Sequence, residues 1–123
     1  IMMASSAAFL PQPGFAVYAA TKSYALSLSR ALREELREKG IYVTAVCPGP
    51  VRTEFFDRAE KYAATLAVKK FSCVEPEDVV RAALTASARN RAMSVYSPLM
   101  KGFHLLSKTL PHSLLLEIAQ KMK

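Results

Sequence analysis

The chain has 123 residues and a mass of 13.5 kDa, the size of one domain or part of one. Apolar residues make up 51% and charged residues 22%, a balance that excludes disordered, collagenous and linker classes. Lys and Arg outnumber Asp and Glu by 17 to 10, but the cations are scattered, Lys69-Lys70 being the sole adjacent pair. No aromatic residues alternate with them in the RNA-binding manner, so nucleic acid is not an expected partner. No apolar run is long enough to span a bilayer, and Ile1–Leu10 has no basic flank of the signal-peptide kind. Two cysteines cannot make a disulfide scaffold, so a cytoplasmic, reducing setting is expected. The first residue is Ile1 and not Met, which leads us to expect a piece of a longer polypeptide.

Ile1-Met2-Met3-Ala4 reads as the end of a buried strand, and Pro11-Gln12-Pro13-Gly14 as a loop. From Phe15 to Lys39 no Pro or Gly intervenes. Ala25, Leu28, Leu32 and Leu36 recur at helical spacing, and Gly40 is placed to end the helix. Ile41–Cys47 is short, apolar and rich in β-branched residues, the pattern of a strand covered on both faces. Pro48-Gly49-Pro50 stops it. Thr53 to Phe71 has a weaker helical pattern, with Phe55, Phe56, Ala59, Ala63 and Leu66 on one side. Those residues are either a core face or a cover over a ligand.

Glu75-Pro76-Glu77-Asp78 opens a further helix. Proline at the first position has no N–H to lose, and acids favour the positive end of the dipole. Val79, Val80, Ala83 and Leu84 are its expected buried stripe. Residues 92–97 suggest a third strand. The tail, with Phe103, Leu106, Leu110, Leu114, Leu115, Ile118 and Met122, reads as two amphipathic helices broken at Pro111. Strand and helix alternate, which predicts an α/β fold with right-handed crossovers and a parallel sheet.

The chemistry-bearing feature is Tyr18-Ala19-Ala20-Thr21-Lys22. Side chains four apart on a helix share a face. A free phenol titrates near pH 10, so it is a poor base at neutrality. Lowering that to about 7 requires about 4 kcal/mol. One ammonium at about 4 Å, at an effective dielectric of about 20, contributes roughly that much. Tyr24, Tyr42, Tyr62 and Tyr96 have no lysine at this offset. Ser5 lies thirteen residues before Tyr18, just past a strand, and Pro48–Thr53 lies at the end of the next strand. In open parallel sheets ligands bind beyond the carboxyl ends of the strands, so the three segments converge on one edge.

Ala4-Ser5-Ser6-Ala7, Tyr18-Ala19-Ala20-Thr21-Lys22-Ser23 and Val43–Thr53 together resemble the C-terminal half of a short-chain dehydrogenase/reductase. The likeness is strong from Ile1 to about Thr53 and loose to about Tyr96. It implies an α/β fold: the C-terminal part of a Rossmann-like, doubly wound parallel sheet, here its last three strands with flanking helices. It implies NAD(P)(H)-dependent exchange of a hydride between a carbonyl and a secondary alcohol. Tyr18 would be the general acid/base. Lys22 would tune Tyr18 and hydrogen-bond the nicotinamide ribose, and Ser5 would polarise the substrate carbonyl, with Ser6 the rival. Pro48, Gly49, Val51 and Thr53 would hold the nicotinamide end. Aromatic and leucine-rich segments flank the site, so a small, apolar carbonyl or alcohol is the expected substrate, and the resemblance implies a homo-oligomer built on the Tyr18 helix and the one before it. No metal is implied.

Gly14, Gly40, Gly49 and Gly102 cannot form a G-x-G-x-x-G loop, and Asn90 does not fit the family's active-site asparagine. Residues 1–123 therefore read as a partial domain lacking its dinucleotide-binding half, not competent alone. A second reading is a non-catalytic, truncated relative that serves in dimerisation. The retained Ser5, Tyr18 and Lys22 argue against it. Cys47 and Cys73 read as ordinary thiols, and His104 and His112 as packing or surface residues, with a substrate-pocket role as the alternative.

Overall fold

In the computed structural model, residues 1–54 and 73–121 are described. Most of the helical stretch expected at 53–71, with Phe55, Phe56, Ala59, Ala63 and Leu66, lies outside them, as do the side chains of Ile118 and Met122. Three strands, β1 (Met2–Met3), β2 (Ala45–Val46) and β3 (Met93–Ser94), pair in parallel in the order β1-β2-β3. Helix α1 (Ala16–Glu35) links the first two; α2 (Pro76–Ala88) precedes β3, and α3 (Pro98–Thr109) and α4 (His112–Lys121) follow it.

The expected α/β order is thus present, with shorter strands. Ile41 and Tyr42 run ahead of both neighbouring strands and stay half exposed; only Ala45–Val46 completes the ladder in place of Ile41–Cys47. The third strand likewise shrinks from 92–97 to Met93–Ser94. Successive β2 side chains point to opposite faces. Ala45 and Cys47 join Ala4, Phe9 and Leu26 in one core, with Phe103 of α3 packed against it. Val46 joins Val79 and Ala83 of α2 in the other. The sheet is therefore covered on both sides, as the apolar run of β2 requires.

α1 stops at Glu35, with Leu36 as its C-cap, short of the expected Lys39. A 3-10 turn, Arg37–Lys39, leads to Gly40 at φ +70°, a conformation in which a Cβ would be strained. The buried stripe differs from the expected one. Ala25, Leu28, Leu32 and Leu36 are only half buried, and Ala19, Leu26 and Ser29 form the inner line. Ser29 tolerates burial because its hydroxyl donates to the Ala25 carbonyl at 2.6 Å. On α2, Val80 and Leu84 were expected inside but are 56% and 58% exposed; Val79, Ala83 and Ala86 face the sheet. Helix rotation places 80 and 84 about 100° away from that line. The Arg33 guanidinium donates to the carbonyls of Val43 and Asn90 and lies over the Tyr42 ring, tying the end of α1 to the α2–β3 turn. Asn90 supplies the left-handed residue of that turn.

Candidate active site

The three segments meet at the carboxyl ends of β1 and β2. Beyond β1 the chain turns at once into a 3-10 helix, Ser6–Phe9, capped by Ser5, whose Oγ accepts from the Ala7 N–H at 3.2 Å. The cap uses a lone pair of Ser5 and leaves its hydroxyl proton available to donate. Ser5 is 8% exposed. The Ser6 N–H donates to the Pro48 carbonyl at 2.8 Å, locking the serine turn to the proline–glycine loop. The turn is also fastened to α1, since the Ser23 hydroxyl donates to the Ala8 carbonyl at 3.1 Å.

Tyr18 and Lys22 are both half buried and share a face of α1. The Lys22 ammonium lies 5.7 Å from the centroid of the Tyr18 ring. It also donates to the Met3 carbonyl at 3.4 Å. Met2 and Ala4 direct their N–H groups to β2, so the Met3 carbonyl points outward, towards α1. Phe15 meets the Tyr18 ring edge-on at 5.9 Å, a contact that restricts the ring's orientation. Sequence reasoning did not single out Phe15. The signal was there in an aromatic pair three apart at a helix start.

The loop after β2 is shaped by two close approaches. An isolated parallel bridge pairs Val51 with Val74: Val74 N–H donates to Pro50 and Arg52 N–H to Val74. The peptide groups of Val51 therefore face away from Val74, and among the described residues its N–H has no partner. The Thr53 hydroxyl reaches the Val51 carbonyl at a long 3.5 Å. Arg52 pairs with Glu75 at 3.2 Å on the surface. At Gly49 a Cβ would lie 2.6 Å from Met100 Cγ, so a larger residue would force the α3 methionine to shift. The tail, which carries no family motif, thus packs directly on the loop.

Phe9 of the serine turn meets His104 and Phe103 of α3 at centroid distances of 4.3 and 6.4 Å. Burial, with Lys108 and Arg30 nearby, holds the His104 imidazole below its ordinary range, and its buried Nδ1 has no partner among the described residues. Burial pushes the Cys47 thiol up to about 11, against the opposing influences of Arg30 and the Ser5 backbone. Cys47 and Cys73 are both free thiols. An open cleft of ≈ 470 Å³ borders the segment joining Ser5 to Tyr18, lined chiefly by Phe9, Leu10, Pro11, Ala16, Ala19 and Leu116, with His112 at its side. Among the described residues no cluster of three or more His, Cys, Asp or Glu could hold a metal, and no helix is long and apolar enough to cross a membrane.

A parallel three-stranded sheet with flanking helices, a serine turn, a phenol–ammonium helix and a proline–glycine loop at one sheet edge define an α/β, Rossmann-like fold. The short chain dehydrogenase family model matches residues 1–64, and the chain belongs to that family. Human dehydrogenase/reductase SDR family member 4 (Homo sapiens) is 33% identical over 85 residues, which cover 63% of this chain and 30% of that protein. The short-chain dehydrogenase from Sphingobium yanoikuyae, solved in complex with NADPH, superposes with a TM-score of 0.66 at 31% identity. The match covers 89% of this chain and 44% of that one. The bulky-bulky ketone specific alcohol dehydrogenase from Comamonas testosteroni follows at a TM-score of 0.60 and 26% identity, covering 89% of this chain and 41% of that one. The chain thus spans less than half the length of each of these.

Proposed function

We propose that residues 1–123 supply the catalytic half of an NAD(P)-dependent oxidoreductase that interconverts a carbonyl and a secondary alcohol. In this reading they form a partial domain, and the dinucleotide's phosphates are held by a Gly-rich half that this sequence does not contain. The observation that carries it is the placement of the Lys22 ammonium between the Tyr18 ring and the β1 edge, beside a serine whose hydroxyl proton is free. The nicotinamide end of the cofactor fits the residues present. Lys22 offers a donor to a ribose hydroxyl, and the Val51 N–H, without a partner among the described residues, offers one to a carboxamide. Pro48 and Gly49 set the path of that loop, and Thr53 adds a hydroxyl for the amide or a phosphate.

Bound nicotinamide would supply the hydride in reduction and accept it in oxidation. The chain's own groups handle the proton. In reduction the substrate oxygen, gaining an electron pair, takes the Tyr18 phenolic proton while the Ser5 hydroxyl donates a hydrogen bond to it. In oxidation the Tyr18 oxygen takes the alcohol proton. Lys22 stabilises the negative charge on the phenolic oxygen in either direction. A small, apolar carbonyl or alcohol is the substrate class of this reading; the apolar cleft beside Phe9–Pro13 is not lined by Ser5, Tyr18 or Lys22 and lies apart from them. Exposed Val17 and Tyr24, seven apart on α1, offer a face for a second copy in a homo-oligomer. The free thiols of Cys47 and Cys73 suit a reducing, cytoplasmic setting.

The test uses the complete enzyme. Tyr18→Phe should lower turnover by about 10²–10⁴-fold and leave cofactor affinity near normal. Lys22→Ala should lower both. Turnover retained in Tyr18→Phe removes the phenol from its role, and loss of only one property in Lys22→Ala removes the double role of the lysine.

A further inference from the structure

Between Asp78 and Glu117 the sequence has no acidic residue, and α3 lies wholly inside that stretch. The inner side of α3 is occupied: Met100 and Ser107 are buried, and Phe103 packs on the core that holds Phe9. An ordinary surface helix carries polar residues on the side turned from the sheet. Here Leu99, Leu105 and Leu106 stand on that side, 57%, 64% and 48% exposed. Gly102 lies among them, and nothing comes within 4 Å of the place a Cβ would take, so among the described residues nothing reaches over this position.

Charge is arranged along the leucines. Lys101 and Lys108, seven apart and both exposed, form one line on α3, with Leu105 between them. Arg30 of α1 lies nearby, since it and Lys108 both oppose protonation of the His104 imidazole. Among the described residues none of these three cations has an ion-pair partner, as the ion pairs are Arg37–Glu34 and Arg52–Glu75. An apolar helical face flanked by long cationic side chains matches the boundary between lipid headgroups and acyl chains. Leucines enter the apolar side, and lysine stems run along them to carry the ammonium groups to headgroup level.

We infer that α3 rests on an anionic lipid bilayer, parallel to its surface, with Leu99, Leu105 and Leu106 at the acyl boundary and Lys101, Lys108 and Arg30 against lipid phosphates. The contact is peripheral, because α3 has 12 residues and no described helix is long and apolar enough to cross a membrane. A second copy seated on this face would bring cation against cation with no acid on α3 to offset them. A free anion would meet the lysines and ignore the leucines.

The experiment sediments the complete protein with extruded vesicles. Phosphatidylcholine vesicles with about one-quarter phosphatidylglycerol should carry it down, and vesicles of phosphatidylcholine alone should bind at least about tenfold more weakly. The double variant Leu105→Ser/Leu106→Ser, altered only at exposed positions, should weaken binding to the mixed vesicles by at least about tenfold while retaining the native circular dichroism spectrum. Lys101→Gln/Lys108→Gln should remove most of the preference for phosphatidylglycerol. Equal binding by the leucine variant would overturn the seating of α3, and equal binding to both kinds of vesicle would overturn the anionic specificity. A dimer that the leucine variant dissociates would assign the face to a second copy and overturn the proposal.

Discussion

The first half of the chain and the last differ in how they are held. From Met2 to Thr53 the functional groups hang on a mesh of backbone bonds: Ser6 to Pro48, Ala4 to Val46, the Ser5 cap and the Lys22–Met3 contact. From Pro76 to Lys121 the contribution to the site comes through side-chain packing, with Met100 against Gly49 and Phe103 and His104 against Phe9. Backbone bonding demands particular residue types only at turns and caps, so it leaves short motifs. Packing demands volume, which many sequences supply. This explains why the family model covers residues 1–64 and the tail carries no comparable signature.

The largest expected effect falls where the two halves meet. Leu26 lies in the core that Phe103 covers, and Leu26→Ala should cost about 2–5 kcal/mol in denaturant unfolding. A loss below about 1 kcal/mol would mean that α1 is not seated on the sheet. Ser5→Ala should reduce turnover by about 10²-fold, near 2.7 kcal/mol of transition-state stabilisation. Its stability loss should be the smaller effect, about 0.5–2 kcal/mol for a lost cap. If only stability changed, Ser5 would be a cap and no more.

Gly49→Ala tests the packing side. The new methyl meets Met100 Cγ at 2.6 Å, and the expected destabilisation is about 1–3 kcal/mol. Adding Met100→Ala should recover part of it, so that the double-mutant cycle shows coupling; strict additivity would separate the tail from the loop. The smallest effect concerns His104. Its folded-state pKa lies below the ordinary value, so the unfolded chain binds the proton more readily. The associated stability is present above pH 6.5 and declines as pH falls through that value. Unfolding midpoints measured from pH 7.5 to 5 should show a drop that His104→Gln flattens. Identical pH profiles would place the imidazole in solvent.

Much of this arrangement is legible in the letters alone. Tyr18 and Lys22 share a face because 3.6 residues make a turn, Gly40 ends the 3-10 turn after α1 because glycine takes φ +70° without strain, and Pro76 opens α2 because it has no N–H to lose. The alternation of strand and helix was enough for a parallel sheet. Burial was less legible. Val80 and Leu84 look like core and face outward, whereas Ser29, polar, lies inside because a local carbonyl satisfies it. Hydropathy cannot tell which of two adjacent helical stripes meets the sheet, since that depends on the rotation of the whole helix.

Local sequence determined what depends on local geometry: the turns, the caps, the i, i+4 pair and the candidate chemistry. Tertiary structure alone decided which carbonyl Lys22 reaches, that Met100 fills the space over Gly49, and that Phe15 edges the Tyr18 ring. Those contacts join residues that no short-range rule connects. Their positions follow from how two helical layers and a twisted sheet close on one another.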